Sequence, residues 1–376
     1  MRPSSGDCDR VSAGVRPVQR GWVVVDRVPG PDVDEFADPG RIIGALARAP
    51  HGTLLAVQHP HRTPEALAQG IGLLDALPRA RVELAVLRRR AYREVHDVVA
   101  PYRVDGPDGT ACGLLCMVNP EAIGHTEDVY PDVVAERAEV LSGLGCATSA
   151  AMLLPMAEHD ALTPLVLALP DDPAVSLVDS GGRRHWVWLV GPGAAQDELL
   201  AAAGAHPLLV ADGNHRVAAA RAAGLSGLLA LITAGPGLRV GPIHRALAGT
   251  GLTAQDLVTA WRGIGLTVDT LPFVRDPEPG VVVVRCPDEV LRVELPKDKG
   301  IDHAVVESVL LDKALGLDPE SPLVRPVVDP AVEADAVLLI APVPMNVVRS
   351  GAVMPRKSTY FTPKPRSGLL LAALER

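Results

Sequence analysis

Aromatic residues are scarce in this sequence, since Phe, Trp and Tyr together make up 3% of its 376 residues. Proteins that hold single-stranded nucleic acids commonly stack the bases on aromatic side chains, so this scarcity argues against such a partner. The net charge is −9, and the longest basic run is only residues 88–90. A broad basic surface for DNA or RNA is therefore missing, and we expect no nucleic acid partner.

Long apolar stretches are missing as well. No run reaches the roughly 18 residues that span a bilayer, and residues 1–10 lack the apolar centre of a signal peptide. The five cysteines are an odd number and form no C-x-x-C pair, which favours reduced thiols over a disulfide framework or a zinc ribbon. These features predict a cytoplasmic protein that binds no membrane.

The remaining composition is typical of a folded globular protein, with 48% hydrophobic and 22% charged residues. The length allows two or three structural units. Strand-like and helix-like segments are mixed along the chain, which predicts a mixed α/β fold. We divide the chain into an N-terminal α/β segment (residues 1–100), a central core (101–250) and a C-terminal α/β segment that ends in a basic loop (251–376).

Apolar periodicity and turn residues place the individual elements. Several short segments are predicted on this basis: strands at 53–58, 82–87 and 162–169, a helix at 64–77, and a loop containing His244 and Arg245. Strands at 208–211 and 228–233 enclose a helix, and this order predicts that the two strands are parallel.

The most informative stretch is P-L-L-V-A-D-G-N-H-R-V-A-A-A-R-A-A-G, residues 207–224. It predicts a buried strand, a tight turn and an alanine-rich helix. Either Asp212 or Asn214 could cap the helix, Gly213 permits a positive φ or close approach of a ligand, and Gly224 is suited to end the helix.

This turn is also the best candidate for an anion site. His215 and Arg216 fall on the first helical turn, beside N–H groups that have no partner within the helix and at the positive end of its dipole. The sequence contains neither a Walker A motif nor G-x-G-x-x-G, so phosphate is expected here if the protein binds it. An ordinary helix start, with solvated His and Arg side chains, is the alternative.

Two further segments carry candidate residues. The polar loop of His125, Thr126 and Glu127 precedes a helix predicted at 131–143, and such a loop is as often a cap as a site. The closing stretch, residues 354–369, contains four cations, Arg356, Lys357, Lys364 and Arg366, among hydroxyl residues and three prolines. Because its prolines fix the path and it contains Tyr360 and Phe361, we favour an ordered, anion-facing loop over a flexible basic tail.

Several of these motifs resemble the bacterial family called domain of unknown function 1015. A-D-G-N-H-R resembles its A-D-G-H-H-R, and R-K-S-T-Y-F-T-P-K-P-R-S-G-L resembles its characteristic end. The His-Thr loop, the Glu136-Arg137 helix, G-P-I-H-R-A-L, the helix at 302–317 and H-G-T-L-L-A-V-Q-H-P-H-R-T-P-E also fit. The chain departs from the family at Asn214, where His is usual, and in lacking a P-P-Y-D segment near its start.

The D-G-N-H-R turn is similar to that of the ParB/sulfiredoxin-like fold, which includes free serine kinases. The resemblance implies a ParB/sulfiredoxin-like core with a mixed sheet, and phosphoryl transfer from a nucleotide, ATP or ADP with Mg²⁺, to the hydroxyl of an amino acid such as L-serine. By this resemblance, residues 213–216 hold a transferring phosphate and Asp212 is a metal or hydroxyl partner. Our candidate catalytic residues are Asp212, His215 and Glu127, with Asp212 as the candidate metal ligand. Our candidate phosphate- or nucleotide-binding residues are Gly213, Asn214, Arg216, His125, Thr126, Lys357, Ser358 and Thr359.

Phosphoryl transfer requires mainly positioning and charge neutralisation, which a helix N-terminus, an arginine and Mg²⁺ supply. A carboxylate must also accept the proton of the attacking hydroxyl, and the sequence leaves Glu127 and Asp212 both open for this role. A kinase is the leading hypothesis. A nucleotide-binding regulatory or interaction module without catalysis, and a phosphate-ester hydrolase, are the alternatives. The oligomeric state is left open.

Overall fold

The structure is a computed structural model and describes residues 14–33, 39–157, 161–235, 237–296 and 300–375. The strands are β1 (Val15–Arg16), β2 (Val18–Val24), β3 (Tyr92–Val98), β4 (Ala100–Gly106), β5 (Gly109–Val118), β6 (Ile123–Gly124), β7 (Cys146–Ala147), β8 (Ala151–Pro155), β9 (Val175–Val178), β10 (Arg184–Val187), β11 (Leu208–Asp212), β12 (Leu228–Ala234), β13 (Arg239–Gly241), β14 (His244–Leu247), β15 (Val268–Leu271), β16 (Val281–Arg285), β17 (Val290–Glu294), β18 (Val324–Val327), β19 (Ala336–Leu339), β20 (Tyr360–Thr362) and β21 (Leu370–Ala373).

The helices are α1 (Pro39–Arg48), α2 (Leu54–Gln58), α3 (Pro64–Gln69), α4 (Leu73–Ala91), α5 (Pro131–Leu144), α6 (Leu162–Leu167), α7 (Ala194–Ala203), α8 (Asn214–Ala222), α9 (Ala254–Gly263), α10 (Asp302–Val305) and α11 (Met345–Arg349). Short 3₁₀ turns occur at Pro60–Arg62 and Pro120–Ala122, and α10 continues as a π-helical segment over Val306–Lys313. The predicted mixed α/β class is confirmed.

The largest sheet has nine strands in the order β6-β11-β8-β12-β5-β4-β10-β9, with β1 paired to β5. Its centre is buried on both faces. In β12, Leu229 and Leu231 join one apolar cluster, whereas Leu228, Ala230 and Ile232 join another. Successive side chains of a strand point to opposite faces, so this sheet separates two cores, which explains the continuous apolar sequence of β12.

Two smaller sheets complete the main framework. One has the order β3-β2-β21-β7, so the strand nearest the end of the chain lies between β2 and β7. The other has the order β15-β17-β16-β19-β14-β18, and its core includes the fully buried Trp261 of α9. Strand β20 pairs separately with β13. The three-part division of the chain stays a prediction, and strand pairing joins its first and last parts through β2 and β21.

The predicted parallel strand-helix-strand unit is wrong. Strands β11 and β12 both pair with β8, which lies between them, and β11 runs antiparallel to β8 while β12 runs parallel to it. The two strands around α8 are therefore antiparallel to each other. Strand β8, which precedes α8 in sequence, lies between them, so β11 and β12 do not pair with each other.

Several short apolar segments are helices where strands were predicted. Residues 54–58 form α2, with the hydroxyl of Thr53 accepting from Ala56 N as an N-cap, and residues 82–87 lie inside α4. Residues 162–167 form α6, and the helix predicted at 64–77 is interrupted at Gly70, whose φ is +64°. Short apolar runs do not distinguish a strand from a buried helix, and tertiary packing decides between them.

Other elements agree closely with the sequence. The sequence pattern predicts a helix at 254–263 and a strand at 281–285, and α9 and β16 have these same bounds. Within the ranges that the structure describes, no helix combines the length and the apolar character needed to cross a bilayer.

Candidate anion-binding site

The central turn forms as predicted, between β11 and α8. Gly213 precedes the helix with φ +106°, and a Cβ at this position would lie 2.9 Å from Arg216 Nε. Both the backbone conformation and the nearby guanidinium therefore favour glycine. At the other end, α8 stops at Ala222 and Gly224 has φ +64°, in agreement with the predicted stop.

The predicted side-chain cap of α8 is wrong. Gly213 is the N-cap residue, and neither Asp212 nor Asn214 bonds the first helical amides. The amides at the start of a helix have no partner within the helix, so they are suited to bind an anion. The carboxylate of Asp212 is instead directed to cations.

Asp212 joins the central turn to the closing stretch. Its Oδ2 accepts a hydrogen bond from Arg216 Nη2 at 2.6 Å, and its Oδ1 lies 3.4 Å from Lys364 Nζ. Burial alone would raise the pKa of the half-buried carboxyl, but the charges of Lys364, Arg216 and Lys357 hold the pKa well below its ordinary value. Asp212 is therefore ionised at neutral pH, within a group of cations.

Arg216 is fixed on its other side by the segment before β8. Its Nη1 donates to Ser149 Oγ at 3.3 Å and to the carbonyl of Ala150. A guanidinium held by several acceptors has a defined orientation, which suits it to bind a planar or tetrahedral anion.

His215 follows on the first turn of α8 and is packed against an aromatic ring. Its imidazole stacks on Tyr130 with ring centroids 5.7 Å apart, and its Nε2 accepts from Tyr130 N at 3.1 Å. Burial lowers the pKa of His215 to about 4, with further contributions from the charges of Lys357, Arg137 and Arg356. The ring is neutral at pH 7, because burial and these positive charges both disfavour its protonated form.

Asn214 connects α8 to the His-Thr loop. Its Oδ1 accepts from Thr126 N at 3.2 Å and lies 3.3 Å from His125 Nδ1. The Thr126 hydroxyl is completely buried and donates to the Val210 carbonyl at 2.8 Å. The structure thus brings His125, Thr126 and Asn214 together as predicted, but it uses the Thr126 hydroxyl and the Asn214 amide for internal bonds. Of these three, His125 remains half-buried, and burial lowers its pKa.

The Glu127 carboxylate lies in a pocket of backbone N–H groups from the closing stretch. It accepts hydrogen bonds from the amides of Lys357, Ser358 and Thr359, each at 3.0 Å, and from the Thr359 hydroxyl at 2.9 Å. Successive amides of this kind form an anion-binding concavity. Glu127 therefore binds residues 357–359, which the sequence analysis names as candidates for binding phosphate. Asp212 is the carboxylate beside the start of α8.

The closing stretch is ordered, as the sequence predicts, and is not a flexible tail. Its strand β20 pairs with β13, Phe361 is buried, and Ser358 is completely buried with its hydroxyl donating to the Pro355 carbonyl at 2.8 Å. Among the candidate residues at 357–359, Lys357 carries a positive charge that lowers the pKa of Asp212 and of His215. Ser358 and Thr359 form hydrogen bonds within the protein.

Arg245 binds the backbone of the closing stretch. The sequence predicts a loop at this residue, and this prediction is wrong. Arg245 lies on β14, is 2% exposed, and donates to Glu307 Oε1 at 2.6 Å and to the carbonyls of Arg356 and Lys357 at 3.1 Å each. The sequence does contain a signal for a buried arginine here, since Arg245 and His244 interrupt the apolar run that follows Gly241. A buried arginine needs charged or polar partners.

A resident metal centre made by protein ligands alone is not found in the part of the chain that the structure describes, where no group of three or more His, Cys, Asp or Glu side chains could hold a metal. Mg²⁺ in phosphoryl-transfer sites is commonly held by one or two carboxylates together with phosphate oxygens. Asp212 is the carboxylate beside the start of α8, and both of its oxygens contact cations.

The fold and site thus define a mixed α/β protein with a cationic cluster at the start of a helix. Residues 99–264 match the model of a family described as "Protein of unknown function (DUF1015)". This match confirms the resemblance to the domain of unknown function 1015 family. The central turn and the His-Thr loop lie inside the matched range, whereas the closing stretch lies beyond it. A search of curated proteins gives no match.

Among solved structures, the chain is similar to SbnI with C-terminal truncation from Staphylococcus aureus, with 12% identity, a TM-score of 0.42, and coverage of 69% of this chain and 87% of that chain. It is also similar to a free serine kinase in complex with AMP, with 13% identity, a TM-score of 0.39, and coverage of 68% and 92%. A conserved hypothetical protein from Pyrococcus furiosus has 13% identity, a TM-score of 0.38, and coverage of 67% and 93%.

Proposed function

We propose that this protein is a small-molecule kinase that transfers phosphate from a nucleotide, ATP or ADP, to the hydroxyl of a free amino acid such as L-serine. The observation that carries the proposal is the convergence of Arg216, Lys364 and Lys357 on Asp212 beside the start of α8. Three cations and one carboxylate leave an excess of positive charge, to which the helix N-terminus adds.

The chemistry of phosphoryl transfer agrees with this arrangement. The transition state carries negative charge on the transferring phosphoryl oxygens, and catalysis depends mainly on positioned cations and amides. After burial, the charges of Lys357, Arg137 and Arg356 lower the pKa of His215 further, and these charges make the potential at this position positive. A polyphosphate is the kind of ligand that such a potential favours.

Each residue has a stated role in the proposal. The amides of Gly213 and Asn214 and the side chains of Arg216 and Lys357 bind phosphate, His125 and His215 line the site, and Asp212 holds Mg²⁺. Bound Mg²⁺ would neutralise charge on the phosphate oxygens. Because the neighbouring cations keep the pKa of Asp212 low, its carboxylate is poorly suited to accept the hydroxyl proton.

Nucleotide binding without catalysis is the second candidate, and one specific observation favours it. A kinase needs a carboxylate to take the hydroxyl proton, but Glu127 accepts four hydrogen bonds from the closing stretch and Asp212 pairs with two cations. A binding protein needs only the amides, Arg216 and the lysines.

The two candidates are distinguished by mixing the protein with ATP or ADP, Mg²⁺ and a panel of free amino acids, and following phosphorus NMR. A new phosphomonoester signal that disappears in Asp212→Asn and persists in Arg89→Ala supports the kinase; Arg89 is an exposed arginine of α4 and serves as the matched control. Nucleotide binding without any product supports the binding module. Absence of both would contradict the two candidates together.

A further inference from the structure

Lys357 has an unusual backbone conformation for a residue with a side chain. Its φ is +56°, and among the described residues Asp97 is the only other non-glycine residue with a positive φ. A left-handed backbone is unfavourable for such residues and persists where the surrounding structure enforces it, often at functional sites. The contacts around Lys357 therefore identify what enforces it.

Two charged side chains hold both peptide groups that flank the Lys357 Cα. In the first peptide, the Arg356 carbonyl accepts from Arg245 Nη2 at 3.1 Å and the Lys357 N–H donates to Glu127 Oε2 at 3.0 Å. In the second, the Lys357 carbonyl accepts from Arg245 Nη1 at 3.1 Å and the Ser358 N–H donates to Glu127 Oε1 at 3.0 Å. Each peptide is thus bound at both ends, which fixes φ and ψ of Lys357.

Both of these side chains are themselves held in place. Arg245 lies on β14 in a buried position and pairs with Glu307, through Nε at 3.0 Å and Nη2 at 2.6 Å. Glu127 also accepts two bonds from Thr359. A fork of guanidinium donors and a carboxylate with two acceptor oxygens are the pair of groups best suited to bind two peptides simultaneously.

We infer that Glu127 and Arg245 are positioning residues that fix the backbone of Lys357 and so direct its ammonium group to Asp212 and His215. This inference rests on the proposed function, in which Lys357 binds phosphate. The two residues come from different parts of the fold, since Glu127 precedes α5 and Arg245 belongs to the six-stranded sheet. The site is therefore assembled only when both parts are in place.

The test uses His215 as a reporter of the Lys357 charge. The pKa of His215 is measured by NMR titration in the full-length protein and in Glu127→Ala, Arg245→Met and Lys357→Met. All three variants should raise this pKa, by at least about 0.5 pH unit, because each removes or displaces a nearby positive charge. Removal of the Glu127 charge alone would lower it, so a rise in Glu127→Ala requires movement of Lys357.

Two controls separate positioning from general destabilisation. Arg285→Met removes another arginine of the same sheet, one that donates to the carbonyls of Pro330 and Val332 and not to the closing stretch. It should leave the His215 pKa unchanged. Arg245→Lys keeps a charge opposite Glu307, so it disturbs the buried ion pair less than Arg245→Met does. It should still raise the pKa of His215, because a lysine cannot bind both carbonyls in the same fork.

Nucleotide affinity gives the second measurement. Glu127→Ala and Arg245→Met should each weaken binding about tenfold. Neither should weaken it further in a Lys357→Met background, since all act through the same ammonium group. An unchanged His215 pKa in folded Glu127→Ala and Arg245→Lys, or fully additive losses of affinity, would overturn the inference. If the unmodified protein binds no nucleotide, the proposed function fails and the His215 titration alone decides the inference.

Discussion

At the residue scale, Lys364 is a candidate for a residue that binds an anion, because its ammonium group belongs to the cationic cluster around Asp212. It lies 3.4 Å from Asp212 Oδ1 and over the ring of Tyr360. We expect Lys364→Met to weaken nucleotide binding about tenfold, equivalent to about 1.4 kcal/mol, because one cation near the phosphates is lost. Isothermal titration calorimetry with ATP and ADP measures the change.

The matched control for this prediction is Lys313→Met, which removes an exposed lysine from the end of the π-helical segment. Its affinity should equal that of the unmodified protein. Equal losses in the two variants would show that net charge, and not a local contact, determines binding.

Buried histidines should make the protein sensitive to acid. His303 is 1% exposed, its Nε2 lies 2.9 Å from the Ile243 carbonyl, and burial lowers its pKa to about 3. The unfolded chain binds a proton at this residue near its ordinary pKa of 6.5, whereas the folded protein does so only near pH 3. Between these values the unfolded state binds more protons, so stability falls as the pH decreases.

Urea denaturation at pH 7 and pH 5 tests this effect. His303→Gln keeps a donor for the Ile243 carbonyl and cannot titrate, so the loss of unfolding free energy between the two pH values should shrink by about 2 kcal/mol. His206→Gln, at an exposed histidine between α7 and β11, is the matched control. A pH dependence that His303→Gln does not alter would assign the acid sensitivity to other groups.

At the scale of one element, the two ends of α8 provide an internal comparison. Gly213 and Gly224 both have positive φ, but a Cβ would lie 2.9 Å from Arg216 Nε at Gly213, while nothing lies within 4 Å at Gly224. Alanine at either position should cost about 1 kcal/mol of unfolding free energy, the usual penalty of a left-handed backbone. Only Gly213→Ala should also displace the Arg216 guanidinium.

The expected result is therefore a similar loss of stability in both glycine variants and a loss of nucleotide affinity in Gly213→Ala alone. Thermal denaturation and calorimetric titration of the same samples measure the two effects. If Gly224→Ala weakened nucleotide binding equally, the affinity would depend on the stability of α8 and not on the position of Arg216.

The same element shows how far the sequence could predict the site. The order strand, turn, helix over residues 207–224 follows from local signals, namely an apolar run, Gly213 and an alanine-rich segment. The contact of Asp212 with Lys364 does not follow, because it joins positions far apart in the sequence. Only a resemblance to a known family associated the two segments beforehand.

Other failures have the same origin. Strand β8 separates β11 from β12, and no local pattern indicates such an insertion. The sequence leaves Glu127 open as a base, but four donors of the closing stretch bind it. The sequence predicts a loop at Arg245, whereas this residue lies on β14. In each case a long-range partner decides the outcome, and periodicity contains no information about partners.

At the scale of the whole molecule, the end of the chain is part of the core. Strand β21 pairs with β2 on one side and with β7 on the other, and Leu371 is completely buried. Its apolar cluster includes Trp22 near the start and Ala211, which directly precedes Asp212. The candidate site therefore depends on a core built from both ends of the chain.

Leu371→Ala should accordingly reduce the unfolding free energy by about 3 kcal/mol, through lost apolar contacts and the cavity left behind. Leu323→Ala, at an exposed leucine of 36% relative exposure, should change it by less than about 0.5 kcal/mol. Urea denaturation followed by tryptophan fluorescence compares the two. Because the cluster around Leu371 also contains Ala211, the variant should weaken nucleotide binding as the core loosens. If Leu371→Ala left the unfolding free energy unchanged, β21 would not contribute to the core that supports Asp212.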